Sequence, residues 1–314
     1  MSQHFDTVAL IGIGLIGSSI SHAMRRGGLA RRIVGAAKTD ATRATALRLG
    51  LVDEVFAHLA DAVKGADLVV LCVPVRACGP VAAEIAGSLK PGAILTDVGS
   101  VKGSVLADVG PHVPAGVHFI PGHPIAGTEH SGPEAGFAEL FDGRWCVLTP
   151  PPDADSKAVD RLKAFWQALG SNVEIMAADH HDLVLAITSH VPHLIAFNIV
   201  NTAAHLERVT ESEVIKFSAG GFRDFTRIAA SDPTMWRDVF LTNRVAMIEM
   251  LGRFTEDLLH LQRAMRFGDG ETLFRMITEA RHIRRGIIEA GQDTSAPDFG
   301  RHQRAGASSR DKKT

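Results

Sequence analysis

Thr7-Val8-Ala9-Leu10-Ile11-Gly12-Ile13-Gly14-Leu15-Ile16-Gly17 decides the fold. Residues 7–11 are an apolar run of strand length, and residues 15–26 follow with helical periodicity. The glycines between them have the spacing Gly-x-Gly-x-x-Gly at a strand-to-helix turn, where it has a mechanism. Gly12 permits the tight turn, Gly14 lets the backbone approach a pyrophosphate, and Gly17 lets the helix pack on the sheet. The free N–H groups of Leu15, Ile16 and Gly17 at the helix start attract phosphate oxygens.

Working outward, strand and helix patterns alternate. Residues 32–36, 67–73, 93–97, 117–120 and 145–148 read as further strands, and 39–49, 78–89 and 101–107 as helices. A fully apolar strand such as Leu68-Val69-Val70-Leu71-Cys72-Val73 is buried on both faces, as in a parallel sheet. The expected fold is an α/β Rossmann-type doubly wound domain over residues 1–176, closing with a helix at 156–169 and a strand at 172–176. Strand signals then stop. A long helix is expected at 180–207, a helical pattern starting at Asp232-Pro233 and running to Phe267, and a last helix at 271–289. Residues 177–291 thus form an all-α domain. The 232–267 pattern is apolar on more than one face, which calls for a second subunit and makes this a dimerisation domain. Residues 292–314 are polar, end in Arg301, Arg304, Arg310, Lys312 and Lys313, and read as a disordered tail.

The 314 residues carry 33 Lys+Arg against 35 Asp+Glu, a net charge of −2, which gives no electrostatic footprint for nucleic acid or an anionic membrane. The three cysteines, Cys72, Cys78 and Cys146, lack a disulfide or zinc spacing and suit a reducing compartment. Residues 183–200 have the length of a membrane span, but Ser189, His190, Pro192, His193 and Asn198 are costly in hydrocarbon. The expected location is the cytoplasm. Tyrosine is absent from the chain, which nothing physical explains.

A dinucleotide site needs a partner for the adenosine ribose at the end of the second strand. A carboxylate there selects NAD. The sequence Ala36-Ala37-Lys38-Thr39-Asp40 brings its acid two or three residues late, and Lys38 with Arg43 suits a 2′-phosphate instead. Both NAD and NADP therefore stand as cofactors. Val73 and Pro74, closing the strand 67–73, join the cofactor set.

Two further clusters are unusual. One is Asp97-Val98-Gly99-Ser100-Val101-Lys102 with Gly122-His123-Pro124-Ile125-Ala126-Gly127-Thr128-Glu129, at the carboxyl ends of strands, where open α/β sheets bind ligands. The other is His181-Asp182, then Ser189-His190-Val191-Pro192-His193, then residues 220–229 with Arg227, then Asp232-Pro233-Thr234-Met235-Trp236. Together, over about residues 6 to 290, these segments resemble the prephenate/arogenate dehydrogenase family, also called cyclohexadienyl dehydrogenases.

The resemblance implies NAD(P)-dependent oxidation of a cyclohexadiene 4-hydroxyl with loss of the ring carboxylate, giving 4-hydroxyphenylpyruvate from prephenate or tyrosine from arogenate. It implies catalytic roles for His123, as the neutral acceptor of the hydroxyl proton, and for Ser100, which also meets the cofactor. It implies substrate-binding roles for Arg227, holding a carboxylate, and for His193, His190, Thr128, Glu129 and Trp236. Asp182 is expected to orient His or Arg side chains. No metal is expected: the paired histidines lack a supporting Cys or second His motif, and hydride transfer needs no metal. The alternatives are a β-hydroxyacid dehydrogenase-type enzyme, disfavoured by the lack of Lys between Asn172 and Glu213, and a non-catalytic dinucleotide sensor.

Overall fold

The computed structural model describes residues 5–128, 130–205, 213 and 216–289. Glu129 and the tail 292–314 lie outside them. Strand β1 (Phe5–Ile11), helix α1 (Leu15–Gly27), β2 (Ala30–Ala36), α2 (Asp40–Arg48), β3 (Glu54–Phe56), α3 (Leu59–Val63) and β4 (Leu68–Leu71) form the first half of a doubly wound domain. Then come α4 (Cys78–Ile85), β5 (Ile94–Asp97), α5 (Lys102–Val109) and β6 (His118–Phe119). All six strands are parallel, in the order β3-β2-β1-β4-β5-β6. The order reverses between β1 and β4, so the loops after these strands part and leave a crevice at their carboxyl ends.

Side-chain parity builds the two faces, because neighbouring residues of a strand point to opposite sides. Val8, Leu10, Leu68, Val70 and Ile94 pack with Ile20, Met24, Leu162, Phe165 and Trp166. Ala9, Ile11, Val69, Leu71 and Leu95 pack with Ile85, Val105 and Trp236 on the other face. Trp166 is fully buried, with Phe141 and Phe165 edge-on at 5.5 and 6.0 Å. Removing a side chain of that size costs about 3–5 kcal/mol.

The segment after β6 opens a second sheet. Gly122–Pro124 is a strand, β7, antiparallel to β8 (Trp145–Leu148), and β8 runs parallel to β9 (Asn172–Ile175) in a separate three-stranded sheet. His123 therefore sits on a paired strand opposite Val147. Between β8 and β9, α6 (Ser156–Ala168) is capped by the Asp155 carboxylate, which accepts from Ala158 N–H.

The long helix expected at 180–207 has two parts, α7 (Ala178–Leu185) and α8 (Val191–Ala204), joined by a π-turn at Ala186–His190. Residues 206 and 207 lie outside the described residues. In the π-turn Val191 N–H reaches back to the Ala186 carbonyl. Pro192 has no N–H to give the Thr188 carbonyl, so the regular ladder cannot continue there. By length and composition alone, the helix Ala178–Ala204 could cross a membrane. Here His181, Leu185, Ala186, His190, Val191 and Ala196 are buried within the protein.

The run expected from Asp232 to Phe267 is also interrupted. After α9 (Gly220–Thr226), α10 (Pro233–Thr242) is capped by Asp232, whose carboxylate accepts from Met235 N–H. Asn243 leaves helical geometry at φ −97° and ψ 30°, and α11 (Arg244–Phe267) starts afresh. The Asn243 side chain is committed to Asp182 and His190, which holds the break in place. The last helix is α12 (Gly270–Glu289). The chain divides into two compact units, Met1–Met247 and Ile248–Thr314. Within the second, Ile248, Phe267, Phe274 and Ile277 are 65%, 73%, 74% and 63% exposed, and no described residue of α12 is buried.

Candidate active site

The glycine loop is shaped for close approach by something other than its own side chains. Gly12 has φ +99°, and a Cβ there would collide with the Cys72 carbonyl, while one on Gly17 would collide with the Gly12 carbonyl. A Cβ on Gly14 would meet nothing within 4 Å, so space lies open above it. The start of α1 has no side-chain cap and no acidic residue in its first turn. The N–H groups of Leu15, Ile16 and Gly17 thus lack an internal cap, the condition in which a helix start takes an anion. Val73 faces the loop, with Cγ1 3.2 Å from a Cβ placed on Gly12, and the exposed Pro74 follows it at the switch point. These residues fit the pyrophosphate of a dinucleotide.

After β2 the chain offers no free carboxylate. Ala37 is buried and Lys38 is exposed. The Arg43 guanidinium donates to the carbonyls of Ala37, at 2.6 Å, and Lys38, at 3.1 Å, and pairs with Asp40. Thr39 caps α2, its hydroxyl accepting from Thr42 N–H.

Beyond β5 lies a buried ion pair. Asp97 and Lys102 are both 0% exposed and bonded to each other. Asp97 also accepts from Gly99 N–H at 2.7 Å and Gly122 N–H at 3.1 Å, and Lys102 Nζ donates to the Gly122 carbonyl at 2.7 Å. The pair therefore grips both backbone groups of the residue before His123. A buried pair this well bonded compensates the cost of taking two charges out of water. Ser100 lies between them in the chain and is half-buried.

The Asp182 carboxylate accepts from the N–H groups of Lys102, at 2.7 Å, and Gly103, at 2.8 Å, and so caps α5. Its Oδ1 also bonds His181 Nδ1 at 2.8 Å, and His181 Nε2 bonds His123 Nδ1 at 2.8 Å. His123 is 8% exposed. Burial first, then the neighbouring His181, Lys102 and His190, holds its pKa well below the ordinary histidine value. The ring is neutral at physiological pH.

His193 donates from Nδ1 to the Ser189 carbonyl at 2.8 Å, and its ring stacks on Trp236 at 3.7 Å and 22°. Burial lowers its pKa, and the Arg227 charge lowers it further. Arg227 is half-buried at the start of a short 3₁₀ turn, Arg227–Ala230. His190 is fully buried. Asn243 Nδ2 donates both to the Asp182 carbonyl at 2.8 Å and to His190 Nδ1 at 3.1 Å, and burial pushes the His190 pKa down to about 4. Trp236, 7% exposed, packs in the core beneath His193. Thr128 accepts from His130 N–H at 3.2 Å. No cluster of metal-ligating groups occurs among the described residues.

The structure thus gathers His123, His181, Asp182, Lys102 and Asp97 into one network, with His190 tied to it through Asn243, and stacks His193 on Trp236. Sequence reading did not single out Lys102, Asp97, Asn243 or His181 as site residues. The local signals were the Asp97–Lys102 segment at a strand end and the His181-Asp182 dipeptide; the bonds that join them to His123 and Asn243 are contacts between distant parts of the chain.

Residues 20–175 match the family described as prephenate dehydrogenase, nucleotide-binding domain, and residues 177–279 its dimerization domain. The chain is 41% identical over 280 residues to a cyclohexadienyl dehydrogenase of Zymomonas mobilis, covering 89% of this chain and 95% of that protein. A crystal structure of prephenate dehydrogenase from A. aeolicus, in complex with hydroxyphenyl propionate and NAD+, superposes with TM-score 0.84 at 35% identity, covering 90% of this chain and 98% of the other. The arogenate dehydrogenase of Synechocystis superposes with TM-score 0.77 at 26% identity, over 89% of this chain and 99% of the other.

Proposed function

The chain belongs to the prephenate dehydrogenase family, and on that premise we propose that it oxidises and decarboxylates a cyclohexadienyl substrate, prephenate or arogenate, in tyrosine biosynthesis. The observation that carries this reading is His123: a buried, neutral imidazole on β7, bonded through Nδ1 and leaving Nε2 for a ligand. A bound nicotinamide dinucleotide supplies the hydride acceptor. His123 Nε2 takes the proton from the 4-hydroxyl oxygen as hydride leaves the carbon that bears it. The electrons released as the ring C–CO2 bond breaks complete the aromatic ring. Ser100 bonds the same hydroxyl and faces the cofactor. Arg227 holds a substrate carboxylate with its planar fork, and His193, backed by Trp236 and with His190 beneath, lines the side-chain end together with Thr128.

Residues 1–176 serve as the nucleotide-binding domain and 177–291 as the helical substrate and dimerisation domain; β9 ends at Ile175 and α7 begins at Ala178, on either side of that join. The cofactor is a nicotinamide dinucleotide, and NADP is favoured over NAD. Ala37 offers the ribose no carboxylate, Asp40 is held by Arg43, and Lys38 and Arg43 supply positive charge for a 2′-phosphate. The assembly is a homodimer, in which a second copy covers the apolar side chains left exposed on α11 and α12. Its place is the cytoplasm, where the three free cysteines stay reduced.

The test is a four-way assay, each substrate with each cofactor, following reduced nicotinamide. Turnover of at least one substrate is expected, faster at low cofactor with NADP. Dinucleotide binding without turnover of either substrate would favour a non-catalytic sensor and sink the reading.

A further inference from the structure

The Asp182–His181–His123 chain carries more than a hydrogen-bond count. An ionised carboxylate only accepts, so Asp182 Oδ1 requires the proton of His181 to sit on Nδ1. A neutral His181 then has only an electron pair on Nε2, and that pair accepts from His123 Nδ1–H. Asp182 is itself fixed, because both its oxygens hold backbone N–H groups at the start of α5. We propose that His181 and Asp182 are positioning residues that hold His123 in its Nδ1–H tautomer, so that the electron pair on Nε2 is always presented to the substrate alcohol.

The proposal rests on the reading of His123 as the proton acceptor. The opposite tautomer, with the proton on Nε2, would donate to the alcohol oxygen and could not accept its proton. The same chain serves after transfer. When the substrate O–H bond breaks and an N–H bond forms at Nε2, His123 becomes an imidazolium in a buried site. Its Nδ1–H then points at the His181 electron pair, and through that ring at the Asp182 carboxylate. No proton moves beyond His123, which returns it to the phenolate oxygen formed as CO2 leaves and the ring becomes aromatic. The logic is that of a carboxylate orienting a catalytic histidine, with a second imidazole inserted between the two.

The groups facing His123 come from five elements. They are His181 and Asp182 of α7, Lys102 of α5 with its partner Asp97 of β5, His190 of the π-turn, and Cys146 of β8. Among these groups, His181 is the one that hydrogen-bonds the His123 ring.

The test uses the full-length enzyme. His181→Phe removes the acceptor and should lower kcat by about 10²-fold, with substrate KM and the Kd of the reduced dinucleotide near wild type. His181→Gln restores an acceptor oxygen and should recover most of that loss. Histidine 15N spectra, assigned by difference with His123→Asn, should show wild-type His123 with Nε2 unprotonated, and a mixture of tautomers in His181→Phe. A His181→Phe enzyme with wild-type kcat, a Gln variant no better than Phe, or a wild-type His123 protonated on Nε2 would each overturn the proposal. If the Phe variant fails to fold, the Gln variant and the wild-type spectrum decide. A wild-type enzyme inert to both substrates would instead defeat the functional reading, and the tautomer would still be read from its spectrum.

Discussion

The floor of the site around His123 and the loop after β2 are built by opposite means. On the floor, Asp97, Lys102, His181 and Asp182 are buried, their polar groups are bonded, and each bond fixes the next. In the loop, Lys38 is exposed, the Asp40 side chain is 97% exposed, and Arg43 holds the backbone by reaching for two carbonyls. In a poorly screened interior a single unpartnered charge costs several kcal/mol, so the floor tolerates no partial change. Exposed charges are screened, and each contributes little. The chemistry of the enzyme is therefore rigidly set, and its choice of cofactor is adjustable.

The sharpest attempt to break this contrast is His123→Asn. The variant should lose about 10²–10⁴ in kcat while dinucleotide affinity stays near wild type; unchanged turnover would remove His123 from the chemistry. In the wild type, burial above all, and the nearby Lys102 charge, disfavour the imidazolium. The acid fall of kcat/KM should therefore come below the ordinary histidine value of about 6.5, and a fall centred there would contradict the buried site. Next, Lys102→Met leaves Asp97 buried without its cation and should cost about 3–5 kcal/mol in chemical denaturation. Near wild-type stability would mean the pair is not needed by the floor. Arg227→Lys keeps the charge but loses the fork, so substrate KM should rise about tenfold with kcat little changed; an effect confined to kcat would contradict carboxylate binding. The smallest effect belongs to the loop. Lys38→Ala should weaken NADPH binding by less than about tenfold and leave NADH binding unchanged, as read from nicotinamide fluorescence. Equal losses for the two would deny Lys38 any contact with a 2′-phosphate.

Much of this could be read from residue order because the cause was local. Alternating burial in Val8, Ala9, Leu10 and Ile11 follows from strand geometry, and the glycines of the first turn stand where the backbone needs them. His123 and Asp182 could be marked as site residues from their motifs. What escaped was decided by distant partners. Gly122-His123-Pro124 carries two strand breakers and becomes β7 only because β8 offers it an edge. The Asn243 break has no glycine or proline to announce it; it depends on His190 and Asp182, far away in the chain. The His181 bond to His123 spans 58 positions, and no spacing rule reaches that far.

The π-turn at Ala186–His190 has a consequence of phase. His181 and His193 are twelve positions apart, which on an unbroken α-helix puts them about 120° apart around the axis. Absorbing one position in the wider turn brings that angle to about 20°, so both rings come to lie along one stripe. One extra residue thus works as a half-step in a gear: closing Ala186–His190 into a regular α turn at full length would swing His193 about 100° away from the side His181 occupies, whereas deleting one residue there would remove the wide turn and keep the two rings in phase.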